Sequence, residues 1–253
     1  MLRTRVIPVL LLRDGGLVKG VQFKNHKYVG DPINAVKIFN EKEVDELVFL
    51  DISATQENRA PDYSLIADIA SEAFMPFGYG GGVKTVEQIE KLFSVGVEKV
   101  IINTSAFLDP DMLKEAVKVA GSQSIVVSMD VKKSLFGSYE VFVHNGKTKT
   151  KVDPVTYAKQ MQDYGVGELM LTSIDNEGTG KGYDLKLLDM VTNAVGIPVV
   201  GLGGAGSLQD LADAKNQTEL SGLAAGNLFV FYGKHKAVLI TYPKYSELKS
   251  LFN

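Results

Sequence analysis

The chain contains no cysteine, only three histidines, no strong excess of either charge and no long apolar run. Without cysteine it can form no disulfide and no thiolate nucleophile or ligand, though that absence says nothing of the redox compartment. The histidines, His26, His144 and His235, lie far apart at no spacing that suits a metal, so no metal site and no cofactor are expected. A formal net charge of −3 gives no reason to expect a nucleic-acid or membrane-surface partner. The basic run Lys234-His235-Lys236 reads better as a solvated charge cluster than as an anion contact. No apolar stretch approaches the roughly 18 residues of a membrane span. Arg3 and Arg5 before the apolar run Val6–Leu12 imitate a short signal peptide. The run ends at once in Arg13-Asp14-Gly15-Gly16 with no small-residue cleavage site, so it is expected to be a buried strand of a soluble, cytoplasmic protein.

What is present is a repeat. Eight short apolar runs, at Val6–Leu12, Glu46–Asp51, Met75–Tyr79, Lys99–Asn103, Ser124–Asp130, Glu168–Thr172, Pro198–Leu202 and Gly222–Gly226, are each followed by a turn and, in most cases, an amphipathic stretch. They are apolar nearly throughout, as strands are in a parallel sheet covered on both faces. Asp31-Pro32, Asp109-Pro110 and Asp153-Pro154 each put a capping acid before a proline of the first helical turn, and Thr85, Asp184 and Ser207 are further caps. Alternating strands and helices suit a closed barrel or an open doubly wound sheet, and the count of eight favours the barrel. At 253 residues the chain has about the length such a barrel needs. The expectation is one α/β domain over 1–253, a single (β/α)8 TIM barrel. Two longer interruptions stand out: Arg13–Gly30, and Lys132–Lys151, where Tyr139–Thr148 reads as a hairpin turning at Asn145-Gly146.

The chain also resembles itself at an offset of about 122 residues. Asp45–Leu50 matches Gly167–Thr172, and Met75–Gly82 matches Ile197–Gly204, so a half-barrel of four β/α units is repeated. The third unit of each half ends in glycines, Gly80-Gly81-Gly82 and Gly203-Gly204, with a helix to follow. Glycine lets a backbone approach a ligand closely, and helix-start amides bind phosphate. Asn103-Thr104-Ser105 and Ala225-Gly226-Asn227, at the ends of strands four and eight, would complete two phosphate cradles across one mouth. The bland alternative is that the glycines only make tight turns.

In order along the chain run Val18-Lys19-Gly20, Gly30-Asp31-Pro32, Asp45–Ile52, Gly80-Gly81-Gly82, Lys99 with Ile102-Asn103-Thr104, Gly121-Ser122-Gln123, Leu171–Asp175 and Gly203-Gly204-Ala205-Gly206. Over residues 1 to about 230 the chain resembles the cyclase subunit of imidazole glycerol phosphate synthase. The resemblance implies a glutaminase partner at the N-terminal face, whose ammonia crosses the barrel to a phosphorylated small molecule at the other end. It implies an ammonia gate of Arg5, Glu46, Lys99 and Glu168, adds Asp175 and Gly178 to the phosphate-binding residues, and makes Lys19 part of a loop covering the substrate. A salt-bridge plug closing the barrel, and an ordinary surface lysine, are the corresponding bland readings.

The family's acid–base pair is two aspartates atop strands one and five. Asp130 is one of them; the other position holds Leu11, which transfers no proton. Asp14, three residues on, is the nearest acid. Leu202 stands for a serine, Glu177 for an aspartate, and Phe231–Pro243 fits the family poorly, near the expected mouth. These departures make the chain look like paralogues in bacterial surface-polysaccharide clusters, which accompany a glutaminase and a sugar amidotransferase making acetamidino sugars. The expected role is then to conduct ammonia for sugar amidination, with the amidotransferase as a possible partner at the other face. Whether the chain is itself an enzyme is left open. The alternatives are a genuine cyclase–lyase of histidine biosynthesis, forming imidazole glycerol phosphate and aminoimidazole carboxamide ribotide, and a related sugar-phosphate isomerase working alone.

Overall fold

The computed structural model describes residues 4–134 and 136–252; Arg3 lies outside them. Among these residues, eight parallel strands form the barrel: β1 (Arg5–Arg13), β2 (Leu47–Asp51), β3 (Phe77–Gly80), β4 (Lys99–Ile102), β5 (Ile125–Lys133), β6 (Glu168–Ser173), β7 (Val199–Leu202) and β8 (Gly222–Ala225). Each pairs in parallel with the next, and β8 pairs with β1, so the sheet closes without an edge. The main helices are α1 (Pro32–Glu41), α2 (Tyr63–Glu72), α3 (Val86–Ser94), α4 (Pro110–Ala120), α5 (Pro154–Asp163), α6 (Leu185–Thr192), α7 (Leu208–Gln217) and α8 (Tyr245–Phe252). No helix among the described residues is long and apolar enough to cross a membrane.

Local chemistry starts these helices. The carboxylates of Asp31, Asp109 and Asp153 accept from the backbone N–H three residues on, ahead of a proline. Thr85 and Ser207, at equivalent places in the two half-barrels, both form capping boxes. Asp62 caps α2 in the same way, although nothing in its surroundings marks it in the sequence.

The apolar runs have no polar alternation because both faces are buried. Leu10, Leu47, Phe49, Phe77, Val100, Val127, Leu169 and Leu223 pack outward with the helices. Ile7, Val9, Val48, Ile101, Val126, Met170, Val200, Leu202 and Ala224 fill the interior. The first interruption is more ordered than a loop. Gly16–Val21 and Lys24–Gly30 form an antiparallel hairpin that continues β1, with Leu11 opposite Val18. In the second, Tyr139–Val143 pairs with β5 and Thr148–Lys149, and the turn at His144, Asn145 and Gly146 takes positive φ throughout.

Candidate functional site at the barrel mouth

The two ends of the barrel differ in chemistry. At the N-terminal end Arg5, Glu46, Lys99 and Glu168 form a closed ring of alternating charge. Arg5 Nη1 donates to Glu46 Oε2 at 2.5 Å, and Arg5 also pairs with Glu168. Lys99 Nζ lies 3.0 Å from Glu46 Oε2 and 2.8 Å from Glu168 Oε2. Both carboxylates are buried, and each serves both cations. Burial works against the Arg5 charge, but Glu168 and Glu46 more than offset it and raise its pKa.

At the C-terminal end lies a cavity of about 330 Å³. Its walls include the apolar Leu11, Leu50 and Leu202 and the polar Asn103, Asp130, Lys19 and Glu177. Asp130 is buried, and its Oδ2 accepts from Asn103 Nδ2 at 3.2 Å. Burial is the main reason its pKa rises to about 7; the hydrogen bonds from Asn103 and Thr172 oppose the rise, and the charge of Glu177 adds to it. A carboxyl of that kind can hold or release a proton near neutrality. Leu11 can do neither. Asp14 does not replace it, because Asp14 is exposed beside Arg13 and lies outside this cavity.

Lys19 sits on a strand of the first hairpin, and its ammonium reaches inside the mouth, donating to the Val9 carbonyl at 2.5 Å. It is buried, and burial lowers its pKa to about 8 against the opposing pull of Glu177. Glu177 is buried too; its pKa is raised by burial, with Lys19 acting in the other direction. Lys19 is therefore neither a loop residue nor a surface lysine.

The two glycine clusters diverge. Gly80, Gly81, Gly82, Asn103 and Thr104 all line the cavity. Of the second set only Gly226 does; Gly203, Gly204, Ala225, Asp175 and Gly178 do not. The Asp175 carboxylate accepts from Lys133 N at 2.8 Å, and the Gly178 carbonyl accepts from Asn227 Nδ2 at 2.9 Å. The structure also brings in residues that no local signal marks: His26 from the first hairpin, Asn145 and Lys147 from the second, and Asp51, which pairs with Arg59 at 3.3 Å. Phe231–Pro243 stays out of the cavity. Phe231–Tyr232 pairs with Ala237–Val238, and Tyr242 then donates to the Val6 carbonyl at 3.0 Å.

A sequence model of the family described as histidine biosynthesis protein matches residues 5–236. The chain belongs to that family. It is 53% identical to a Pseudomonas aeruginosa protein provisionally named as an imidazole glycerol phosphate synthase subunit, over 98% of this chain and 99% of that one. A Vibrio vulnificus protein, also provisionally named as such a subunit, is 54% identical over 98% of this chain and 96% of its own. The imidazole glycerol phosphate synthase subunit HisF of Alkaliphilus metalliredigens is 41% identical over 90% and 91%. As a member of the histidine biosynthesis protein family, the chain resembles the synthase's cyclase subunit, with Asp130 and Leu11 both in the wall of the mouth.

Asp130 allows a test of this environment. Its carboxyl keeps its proton up to about pH 7 in the folded chain, against an ordinary value of 3.8. Between those values the folded state binds more protons than the unfolded one, so stability falls as pH rises through the window. Asp130→Asn, neutral throughout, is expected to flatten that part of the profile and to gain on the order of 1–3 kcal/mol at pH 8. Thermal denaturation of both proteins from pH 4 to 8 measures it, and parallel curves would show that Asp130 is not held protonated.

Proposed function

We propose that this chain is the barrel subunit of a glutamine-dependent assembly. It takes ammonia from a glutaminase docked at the N-terminal face and passes it to the mouth without performing cyclisation there. The acceptor reading that follows is sugar amidination in surface-polysaccharide biosynthesis, with a sugar amidotransferase at the mouth and a phosphorylated small molecule at the first glycine cluster. The observation that carries the proposal is Leu11, an apolar side chain in the cavity wall at the place of an acid, in a mouth that retains Asp130. Two features agree. The charged ring guards the end opposite the mouth, and the interior between them is lined by Ile7, Val48, Ile101, Val126, Met170, Val200 and Ala224. Such a wall favours neutral ammonia over ammonium, because an unpaired charge there loses its hydration. The relatives support the coarser part of the reading, a barrel like the synthase's cyclase subunit, at 53% and 54% identity to proteins provisionally named as synthase subunits and 41% to one named without qualification.

The competing reading is a genuine cyclase–lyase, for which Asp130 is the supporting observation; its second proton carrier would be Lys19 or Glu177, both buried in the same cavity. The two readings part on one assay. The purified chain is given the imidazole-pathway bis-phosphate with excess ammonium salt, which makes the glutaminase unnecessary, and imidazole glycerol phosphate is measured. No product is expected. Turnover at roughly 1 per second or faster, an ordinary enzymatic rate, would establish the cyclase instead.

A further inference from the structure

Three segments project from the C-terminal end of the barrel: 13–30 after β1, 132–151 after β5, and 231–243 after β8 and the short helix Asn227–Val230. The first two meet over the mouth, where a Cβ at Gly146 would stand 3.1 Å from the ring of Phe23. In about a fifth of the chain they hold eleven of its 27 lysines and arginines and two of its 30 aspartates and glutamates. With the whole chain at −3, these segments stand at +9 and the remainder at −12. Apart from Lys19 the cations are exposed, among them Lys24, Lys27, Lys132, Lys133, Lys234 and Lys236. The same segments carry six of the ten large hydrophobic side chains exposed among the described residues: Val21, Tyr28, Phe136, Tyr232, Val238 and Leu239. Scattered apolar side chains are ordinary on a surface, whereas their concentration amid one sign of charge marks a place where another protein binds.

The third segment is the clearest case. Its two-stranded ribbon pairs with no other strand among the described residues, and every residue from Tyr232 to Leu239 is exposed. Such a ribbon is marginally stable by itself. Its root is nevertheless fixed. Leu239 N donates to the Val230 carbonyl and Thr241 N to the Phe229 carbonyl, both at 2.9 Å, and the rings of Phe229 and Tyr242 lie 5.3 Å apart. The tip therefore holds Tyr232, Val238 and Leu239 out in water beside Lys234 and Lys236, and no acid occurs between Glu219 and Glu247. An acidic surface complements that charge, and only a surface with apolar ground of its own buries the valine and leucine. A nucleic-acid backbone has none, and across this rim it would also meet the exposed carboxylates of Asp14 and Glu57.

We infer that the ribbon and the two hairpins form the docking surface for a second protein, whose contact face is acidic around an apolar patch that takes Tyr232, Val238 and Leu239. This deepens the ammonia-delivery reading and rests on it for the choice of partner, because ammonia leaving the mouth reaches an acceptor enzyme without loss to water only if that enzyme covers the mouth. The exposed lysines govern the rate of encounter, and the apolar side chains govern the lifetime of the complex.

The probe is the sugar amidotransferase of the proposed assembly, immobilised and titrated with the full chain by surface plasmon resonance at low and high salt. One-to-one binding is expected, with association slowed by salt. Lys234→Glu/Lys236→Glu should slow association by about tenfold and leave dissociation nearly unchanged. Tyr232→Ser/Val238→Ser/Leu239→Ser should speed dissociation by about tenfold or more. Val119→Ser, an exposed apolar position on α4, should change neither. Circular dichroism checks each fold, and the charge reversal decides the matter if the triple variant does not fold. Parent kinetics in both ribbon variants overturn the docking surface, and so does the absence of a complex. Ribbon-dependent self-association, or ribbon-dependent binding to phosphatidylglycerol vesicles in place of the amidotransferase, overturns the protein partner. The cyclase assay is independent of these outcomes. A chain that cyclises yet forms the complex refutes the ammonia reading alone, and one that neither cyclises nor forms it refutes the docking surface alone.

Discussion

Replacing Glu168 with leucine is expected to destabilise the barrel by about 3–5 kcal/mol, the usual cost of removing one partner from a buried ion pair. Glu168 accepts from both Arg5 and Lys99, and its loss would leave these two cations to share the carboxylate of Glu46 alone. Arg5 and Lys99 keep side-chain exposures of only 27% and 21%, so water can hydrate the orphaned charge only in part. In a chain of this size the melting temperature should drop by about 10 °C, and urea denaturation gives the free energy directly. The quadruple variant Arg5→Met/Glu46→Leu/Lys99→Met/Glu168→Leu should recover most of the loss, because an apolar layer replaces the whole network rather than breaking it. A Glu168→Leu protein within about 1 kcal/mol of the parent would mean that solvent already screens the ring, as it does for surface pairs. The recovery in the quadruple variant carries the functional meaning. If apolar residues hold this end of the barrel as well, the charges are not needed for stability, which favours a role in controlling passage.

The second large effect is expected at Gly204. Its φ of +113° belongs to a region that side chains avoid, and a Cβ there would overlap the Gly182 carbonyl oxygen. The obstacle is backbone, held by the hydrogen bond from Gly182 N to the Gly204 carbonyl at 2.9 Å, so no rotamer change relieves it. Gly204→Ala should therefore cost at least about 3 kcal/mol, combining backbone strain with steric overlap. Gly15→Ala is the control. Gly15 also has positive φ, +74°, but a Cβ there meets nothing within 4 Å, so only the conformational cost of about 1 kcal/mol applies. Chemical denaturation of the two variants separates these contributions. Equal losses would show that φ alone sets the cost and that the second cluster is less tightly packed than the structure has it.

These effects bear on what a glycine cluster means. Consecutive glycines can be selected for a ligand or for the chain's own backbone, and both causes write the same letters. Gly81 needs the absence of a Cβ because of the Asp51 backbone, and Gly204 because of Gly182. Only the position of each cluster relative to the cavity distinguishes the one open to a ligand from the one that is covered.

The barrel itself was legible in the amino-acid order because its determinants are local. Eight continuous apolar runs, the caps Asp31, Thr85, Asp109, Asp153 and Ser207, and the repeat of glycines at equal offsets each act within a few residues. Leu11 was legible in the same way, since a missing carboxyl is missing in any fold. Three things were decided only by tertiary structure. The segment after β1 becomes a paired hairpin because Leu11 and Leu12 find Val18 and Leu17 opposite them. Lys19 is carried by that hairpin into the mouth, far from solvent, where the charge acting on it is that of Glu177, 158 positions away in the chain. The second glycine cluster is thereby closed, with Glu177 against Gly203 and Lys19 against Gly226, while its twin stays open. Sequence specifies which side chains and turns are available, and those act over one or two turns of backbone. Which of two equivalent pockets a lysine and a glutamate fill depends on contacts between distant segments, and these exist only once the sheet has closed.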